Sequence, residues 1–599
     1  MILQALTRYY ERLLEQGAEG VAPPGYSPVG ISYEIVLAVD GRVVAVNDIR
    51  DTSGKKSRPR TLIVPQPPKR SSNVAPCFLA DKTSYVLGVS ATSKRSEQEH
   101  AAFKMLHLEQ LRGTDDPGLR ALCLFLQDWS SEQFEVAAGF MDDMLDTNLV
   151  FRLDGDRQRL HERLAARTAW QRFAGAADET SPQPCLITGE DRPPVLLHPA
   201  IKGVRGAQSS GASIVSFNLD SFKSYGKDQG TNAPVSQEAA FAYTTALNHL
   251  LRAGSDNFQK LQIGDATVVF WAEADDGELA REAELTFGAL LNGVGADDAS
   301  EAQKIHDVLE QAAKGRPLAD VDAKLEDGTR MYVLGLAPNA SRLSIRFWET
   351  GTLGVFVRRF ADHARDFRIE PLPWKTAPSA WRVVLATVPN RAGARPSADD
   401  AAANLVGEFV RAVLAGRPYP RSLLAAALMR MRADHTISGL RVAICKAIPS
   451  REHRLGLNQR EEEPPVSLNK QSTHPGYRLG RLFAVLEDAQ RGALGGHVNA
   501  TIRDRYYGAA SATPASVFPI LLRNAQNHLG KLRREKPGFA VNLEKDITEI
   551  IGGLPEAFPR SLPIEAQGQF AIGYYHQSQQ RFQKTAADRT ETITEETPA

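Results

Sequence analysis

Cysteine is scarce in this chain of 599 residues, with only Cys77, Cys123, Cys185 and Cys445. They stand far apart and no two form a Cys-x-x-Cys pair, so the spacing of a structural zinc site is missing. Long apolar runs are also absent, and no stretch is long enough to span a bilayer. Tyr9, Tyr10, Glu11 and Arg12 interrupt the first apolar run, so an amphipathic helix rather than a signal peptide is expected there. A cytoplasmic location with reduced cysteines is the expectation. Neither sign of charge is in excess, at 71 Lys plus Arg against 71 Asp plus Glu. A neutral total still admits a nucleic-acid partner, because charge can be segregated locally.

Catalytic signatures are missing as well. Neither HExxH nor GxSxG occurs. Ser53-Gly54-Lys55-Lys56 lacks the first glycine of a phosphate loop, where Ile49 stands, and Lys56 replaces the Ser or Thr. His306-Asp307 and Asp362-His363 are lone pairs, without the further partners that a metal phosphohydrolase needs. His198 follows two leucines and precedes a proline, the setting of a buried, hydrogen-bonded imidazole. No catalytic residue, metal or cofactor is expected.

What is present is an ordinary apolar content of 42%, spread over a chain too long for one core. The expected fold class is α+β and multi-domain: a mixed N-terminal body of antiparallel strands and helices, then a C-terminal all-α bundle. The expected segments are 1–95 (an α+β subdomain with a basic loop), 96–370 (an α+β body), 371–460 (helical), 461–585 (a helical bundle) and 586–599 (a disordered tail). Met1–Gln16 reads as a helix. Tyr33–Asn47 reads as a hairpin with a type I′ turn at Asp40-Gly41. Tyr85–Ser90 and Leu261–Ala272 read as strands, and Glu97–Trp170 as mainly helical. Met331–Ala337 and Leu343–Trp348 pair around Pro338-Asn339, and Phe356–Phe367 is a helix. Polar Arg451–His474 reads as a linker, and the Thr/Glu-rich residues from Thr585 as disordered.

The chain is organised around Cys185–Leu251. Ser213–Asn218 is predicted as a core strand between two polar loops, Gly206–Gly211 and Ser224–Asn232. Ser236 then caps a helix with Ala239, Tyr243, Ala246 and Leu250 on one face. Gln208, Ser209, Ser210, Asn218, Tyr225, Gln229 and Asn232 are neutral hydrogen-bonding residues beside Gly206, Gly211, Gly226 and Gly230. Such amides can read base edges, and glycine backbone can approach a groove closely. Lys202, Arg205, Lys223 and Lys227 flank the loops and can hold phosphates. A second basic loop carries Lys55, Lys56, Arg58, Arg60, Lys69 and Arg70, followed by Ser71, Ser72 and Asn73. A third cluster, Arg523, Lys531, Arg533 and Arg534, lies in the C-terminal helices. The same loops admit a plainer reading, as solvated charge runs or as polar segments that knit subdomains together through side-chain-to-backbone bonds.

Six long runs carry a family resemblance: MILQALTRYYERLL, VPQPPKRSSNVAPCFLADKTSYVLG, LHPAIKGVRGAQSSGASIVSFN, SYGKDQGTNAPVS, AFAYTTALNHLL and GLAPNASRLSIRFW. Together, from Met1 to Trp348, they resemble the large subunit of the type I-C CRISPR surveillance complex (Cascade). The resemblance implies a non-catalytic subunit that recognises a protospacer-adjacent motif in double-stranded DNA, aids duplex opening and supports recruitment of a helicase-nuclease. It implies as partners the crRNA-bound backbone subunits, the crRNA-processing subunit, a small subunit that can come from the same gene, and target DNA, with no membrane. It places motif reading on Lys69, Arg70, Ser71, Ser72, Asn73, Gln208, Ser209, Ser210, Asn218 and Gln229. The C-terminal helices resemble the small subunit, whose expected role is to hold the guide–target duplex and the displaced strand on a basic face. Internal starts for a separate small subunit would fall at Met429, Met431 or near Val466. The alternatives are a divalent-metal-dependent nuclease and a purely structural scaffold.

Overall fold

The computed structural model describes residues 1–595 apart from 54–56, 69–72, 137–138, 176–180, 255, 294–298, 375–377, 390–399, 401, 459–461 and 496–499. The chain divides into two packing units. One comprises Met1–Gly203, Ala207–Ala253 and Pro338–Leu343, and the other Val204–Gly206, Gly254–Ala337 and Ser344–Ala599.

In the first unit, α1 (Ile2–Glu15) buries Leu6, Tyr10 and Leu13 of the face that the spacing predicts, while Leu3 on that face is half-buried. A ribbon pairs β1 (Tyr26–Ile31) with β4 (Arg60–Pro65). The main sheet joins β2 (Tyr33–Leu37), β3 (Val43–Asp48), β5 (Ala80–Lys82) and β6 (Asn148–Leu153) in the order β3-β2-β6-β5. The β2–β3 hairpin forms as expected, but only Gly41 of the turn is left-handed, at φ +87°. The turn is therefore not type I′, and the mismatch is absorbed as a register shift between Val36 and Leu37.

Strand β6 runs parallel to β2 inside the stretch expected to be helical. Asn148–Leu153 is a short apolar run, which periodicity alone does not assign. The strand expected at Tyr85–Ser90 is instead a helical turn, α2 (Thr83–Val86), preceded by β5. The Asp81 carboxylate accepts from the backbone N–H groups of Cys77 and Lys82 and so ends the strand early. Helices α3 (Ser96–Gln110), α4 (Pro117–Asp128) and α5 (Leu164–Gly175) cover the sheet. Phe103, Leu122, Leu126 and Trp170 meet Ile35, Leu149 and Phe151 in this core. Burying each such side chain contributes about 1.5–3 kcal/mol. A two-residue ribbon, β7 (Gln183–Pro184) with β8 (Asp191–Arg192), precedes α6 (Gln237–Leu250).

The second unit holds an antiparallel sheet of β9 (Lys260–Ile263), β10 (Ala266–Glu273), β11 (Arg330–Asn339) and β12 (Arg342–Thr352), in the order β12-β11-β10-β9, except for its turn residues Pro338–Leu343, which group with the first unit. The β11–β12 turn falls at Ala340-Ser341, past the expected Pro338-Asn339, with Ala340 at φ +53°. Pro338 remains in the strand because β10 pairs only as far as Leu336, so its missing N–H breaks no ladder bond there. Val268, Phe270, Met331, Val333 and Phe347 face α7 (Gly277–Asn292), α8 (Ala299–Ala313) and α9 (Leu353–Phe367). The helices α10 (Ala380–Leu385), α11 (Ala403–Ala415), α12 (Arg421–Ala433), α13 (Gly439–Arg454), α14 (Pro475–Leu494), α15 (Ile502–Ala512), α16 (Pro514–Glu535), α17 (Pro537–Gly552) and α18 (Ile564–Glu595) follow. One apolar cluster runs from Ile263 to Tyr575, so the sheet and the C-terminal helices share a core across residues 371 and 461.

Arg451–His474 is not a free linker. Arg451 lies within α13 and is fully buried, and Glu370 N–H donates to Val466 O at 2.8 Å. The polar composition there serves a buried ion cluster. α14 and α18 touch backbone to backbone. A Cβ on Gly480 would lie 2.0 Å from Phe570 O, and one on Gly573 would lie 2.0 Å from Tyr477 O. α18 continues through Glu595, so residues 586–595 of the expected disordered tail are helical. Extending a helix that packing has already nucleated costs far less than starting one. The fold is α+β, as expected. Among the described residues no helix is long and apolar enough to cross a membrane.

Candidate nucleic-acid interface

Helix α6 anchors the central stretch. The Ser236 hydroxyl accepts from Ala239 N–H at 3.2 Å, and Tyr243, Ala246 and Leu250 are buried, as the sequence predicts. Tyr243 holds His198, with its hydroxyl 2.7 Å from Nδ1. Burial brings the His198 pKa down to about 4, so this imidazole is neutral and structural. Asn248 clamps the chain ahead of the first loop. Its Oδ1 accepts from Lys202 N–H at 2.8 Å and its Nδ2 donates to Ala200 O at 3.1 Å. Cys185 sits beneath. Burial pushes its thiol up, but hydrogen bonds from Ser236, Thr188 and Ile187 outweigh this and bring the pKa down to about 7.

The predicted core strand Ser213–Asn218 does not form. Ala212 bridges to Ile201 and Ser213 bridges to Arg342, one residue each, and Ile214 to Phe217 are only half-buried. Gly211, at φ +104°, explains the first limit, since a Cβ there would lie 2.7 Å from the Ala200 Cβ. The chain enters at a glycine-only contact and leaves after a single pairing.

Arg342 fastens the segment between the two loops. Its neighbours hold Ser213, with Ser213 N–H donating to Ser341 O at 3.2 Å and Leu343 N–H donating to Ser213 O at 2.9 Å. Its guanidinium donates to Asn218 Oδ1 and lies 4.4 Å from the Phe222 ring centroid. The residues alone did not single out Arg342, because it follows the β11–β12 turn, 124 positions after Asn218. Its only signal was its place in the GLAPNASRLSIRFW run.

The predicted contact residues separate by environment. Gln208, Ser209, Ser210, Lys202 and Lys227 are exposed, and neither lysine makes an ion pair among the described residues. Asn218 is exposed but accepts from Arg342. Lys223 lies between Asp220 at 3.0 Å and Asp228 at 2.9 Å, hydrogen bonds that raise its pKa. Its charge is thus matched within the loop. Asn232 is a structural clamp: Oδ1 accepts from Ser224 N–H at 2.9 Å, and Nδ2 donates to Lys227 O at 3.1 Å and Gln229 O at 2.9 Å. For Asn232 the plainer reading of a polar loop residue describes what the side chain does. Tyr225 is 98% exposed at φ +53°, and exposed Gln229 is at φ +45°. Left-handed backbone costs a residue with a Cβ about 1–2 kcal/mol. Arg205 belongs to the second unit, where its N–H donates to Thr267 Oγ1 at 3.1 Å.

Lys55, Lys56, Lys69, Arg70, Ser71 and Ser72 lie outside the described residues, while Asn73, Arg58 and Arg60 are exposed. In the C-terminal cluster, Arg533 pairs with Glu544 at 2.6 Å and Lys531 with Glu535 at 3.8 Å. Arg523 and Arg534 are exposed without an ion pair among the described residues.

A second polar cluster was not foreseen. His363, read from the sequence as half of a lone pair with Asp362, is buried, with Nδ1 2.8 Å from the Tyr419 hydroxyl. Tyr419 donates to Asp366 at 3.2 Å, and the Asp366 carboxylate also accepts from Arg451 and from Arg454 at 3.0 Å. Lys446 donates to Asp366 O at 3.0 Å. Burial, then the nearby Arg451 charge, lowers the His363 pKa to about 3. Every member bonds to another member of the cluster. Among the described residues no three His, Cys, Asp or Glu side chains converge as a metal site.

No curated protein matches the chain. The family model described as CRISPR-associated protein (Cas_Csd1) matches residues 6–582, nearly the full length, and the chain therefore belongs to this CRISPR-associated family.

Proposed function

We propose that this chain is the large, motif-reading subunit of a type I-C CRISPR surveillance complex and performs no covalent step itself. The observation that carries the reading is a pair of loops with exposed amides and hydroxyls, joined by a segment that Arg342 holds. Gln208, Ser209 and Ser210 can donate to and accept from base edges, while Lys202 and Lys227 can contact phosphates. The resemblance adds Lys69, Arg70, Ser71, Ser72 and Asn73 to these contacts. The protein then reads a few base pairs and the backbone, and guide-RNA pairing reads the rest. Its partners are the crRNA-bound backbone subunits, the crRNA-processing subunit and a helicase-nuclease recruited after target binding. Arg523 and Arg534 are available to a guided duplex or a displaced strand.

The test uses the assembled complex with its guide and a duplex target, with and without the flanking motif. Gln208→Ala should relax the preference for the motif. Lys202→Ala should weaken all targets alike and reduce the salt slope by about 1. Equal binding with and without the motif in the unaltered complex would remove the motif-reading role. Magnesium- or manganese-dependent cleavage of DNA by the purified chain would remove the non-catalytic one.

A further inference from the structure

Tyr225 is held where the fold itself gains nothing from it. Lys227 N–H donates to Ser224 O at 3.0 Å, closing a turn over Tyr225 at φ +53° and Gly226 at φ +69°. Two consecutive left-handed residues make this a type I′ turn, whose first central position favours Asn, Asp or Gly. A tyrosine there is strained, and a 98% exposed ring makes no packing contact that would offset the strain. Gln229, four residues on, is likewise left-handed and exposed.

The turn is nevertheless rigidly mounted. Asn232 grips Ser224 on one side of it and Lys227 and Gln229 on the other. Gly230 N–H donates to Leu196 O at 3.1 Å, and a Cβ on Gly230 would lie 2.0 Å from Val195 O. The loop is therefore a fixed mount for an outward-facing aromatic ring. Its charges nearly cancel, because Lys223 is matched by Asp220 and Asp228. Beyond the single cation at Lys227, this tip offers little attraction to phosphates. A flat π-face, one cation at Lys227 and one amide at Gln229 match the face, phosphate and edge of a single nucleotide.

We propose that Tyr225 is a base-stacking residue, its ring lying on the face of a nucleobase of bound DNA where the duplex stack ends. This rests on the nucleic-acid reading above and adds the contact that engages a base by its face. The ring's neighbours, Ser224, Gly226 and Lys227, are polar and exposed, unlike the water-excluding rim around an aromatic anchor in a protein interface.

The experiment uses the assembled complex and duplex targets carrying 2-aminopurine at successive positions in and beside the motif. At one position the probe should be quenched by the wild type and by Tyr225→Phe, and not by Tyr225→Leu. Tyr225→Leu should weaken target binding about tenfold, by the same factor at low and high salt, whereas the effect of Lys202→Ala shrinks as salt rises. Tyr225→Asn should leave the unfolding temperature unchanged or raise it, because asparagine tolerates the left-handed turn. Wild-type affinity and quenching in Tyr225→Leu, with Lys202→Ala still weakened, would overturn the stacking role and leave the DNA reading intact. Loss of complex assembly in Tyr225→Leu without DNA would overturn it in favour of a protein anchor. A lower unfolding temperature in Tyr225→Asn would show that the ring serves the fold. No DNA binding by the wild-type complex would remove both readings.

Discussion

The two places where this chain gathers polar side chains are built in opposite ways. Around Asp366, in the second unit, a carboxylate, two guanidiniums, a phenol and an imidazole face inward and bond to one another. Across residues 207–232, in the first unit, most amides and hydroxyls are exposed, and Arg342 and Asn232 hold the segment in place. What distinguishes them is where the partners are. A buried ion needs its partner within the chain, because desolvation without one is costly. An exposed amide carries no such penalty and is free for a partner from outside.

The sharpest way to break this contrast is Asp366→Ala. It leaves Arg451 buried without its carboxylate and should cost about 3–5 kcal/mol, read as a lower denaturant midpoint. A loss no larger than that of a loop substitution would erase the distinction.

Acid should act on the same inward-facing chemistry. Burial lowers His107, His198 and His576 to about 4, and burial with the Arg451 charge lowers His363 to about 3, all from an ordinary value of 6.5. Between these values the unfolded chain binds more protons than the folded one. Stability is therefore full above pH 6.5 and is lost as pH falls toward 4. The unfolding temperature should drop from pH 7.5 to pH 5, and a rise would contradict neutral buried imidazoles.

Arg342→Ala joins the two styles, since it removes an internal support from an external surface. Losing a charged hydrogen bond and a cation–π contact should cost about 1–3 kcal/mol. Faster amide exchange should appear across residues 207–232, together with weaker target binding. Unchanged exchange would mean the loops stand without it. The smallest expected effect on stability is that of Gln208→Ala, within about 0.5 kcal/mol in unfolding assays. Its consequence should appear only in motif preference, where a bidentate amide is worth about 1–3 kcal/mol of discrimination.

Local features of this fold were legible in the sequence. Ser236 and the apolar spacing after it gave α6, Asp40-Gly41 gave a hairpin, and two leucines with a proline around His198 gave a buried imidazole. The site was legible as a location, through its glycines and amides. Its construction was not. Arg342 reaches Asn218 across 124 positions and Arg451 reaches Asp366 across 85. Neither pairing leaves a periodic trace, since periodicity records which face is apolar and not which distant partner satisfies a charge. For the same reason Ser213–Asn218, alternating in sequence, resembled a strand although only Ser213 pairs as a β-bridge.

The Asp366 cluster also bears on where the polypeptide could be divided. A shorter product begun at Met429 or Met431 would contain Arg451 and Arg454 but not the carboxylate they share. Both guanidiniums would then have to reach water or a new acid. A product begun near Val466 would leave the whole ion cluster behind and keep both halves of the α14–α18 glycine seam. Electrostatics thus ranks the three cut points and favours the one that separates no buried charge from its counterion.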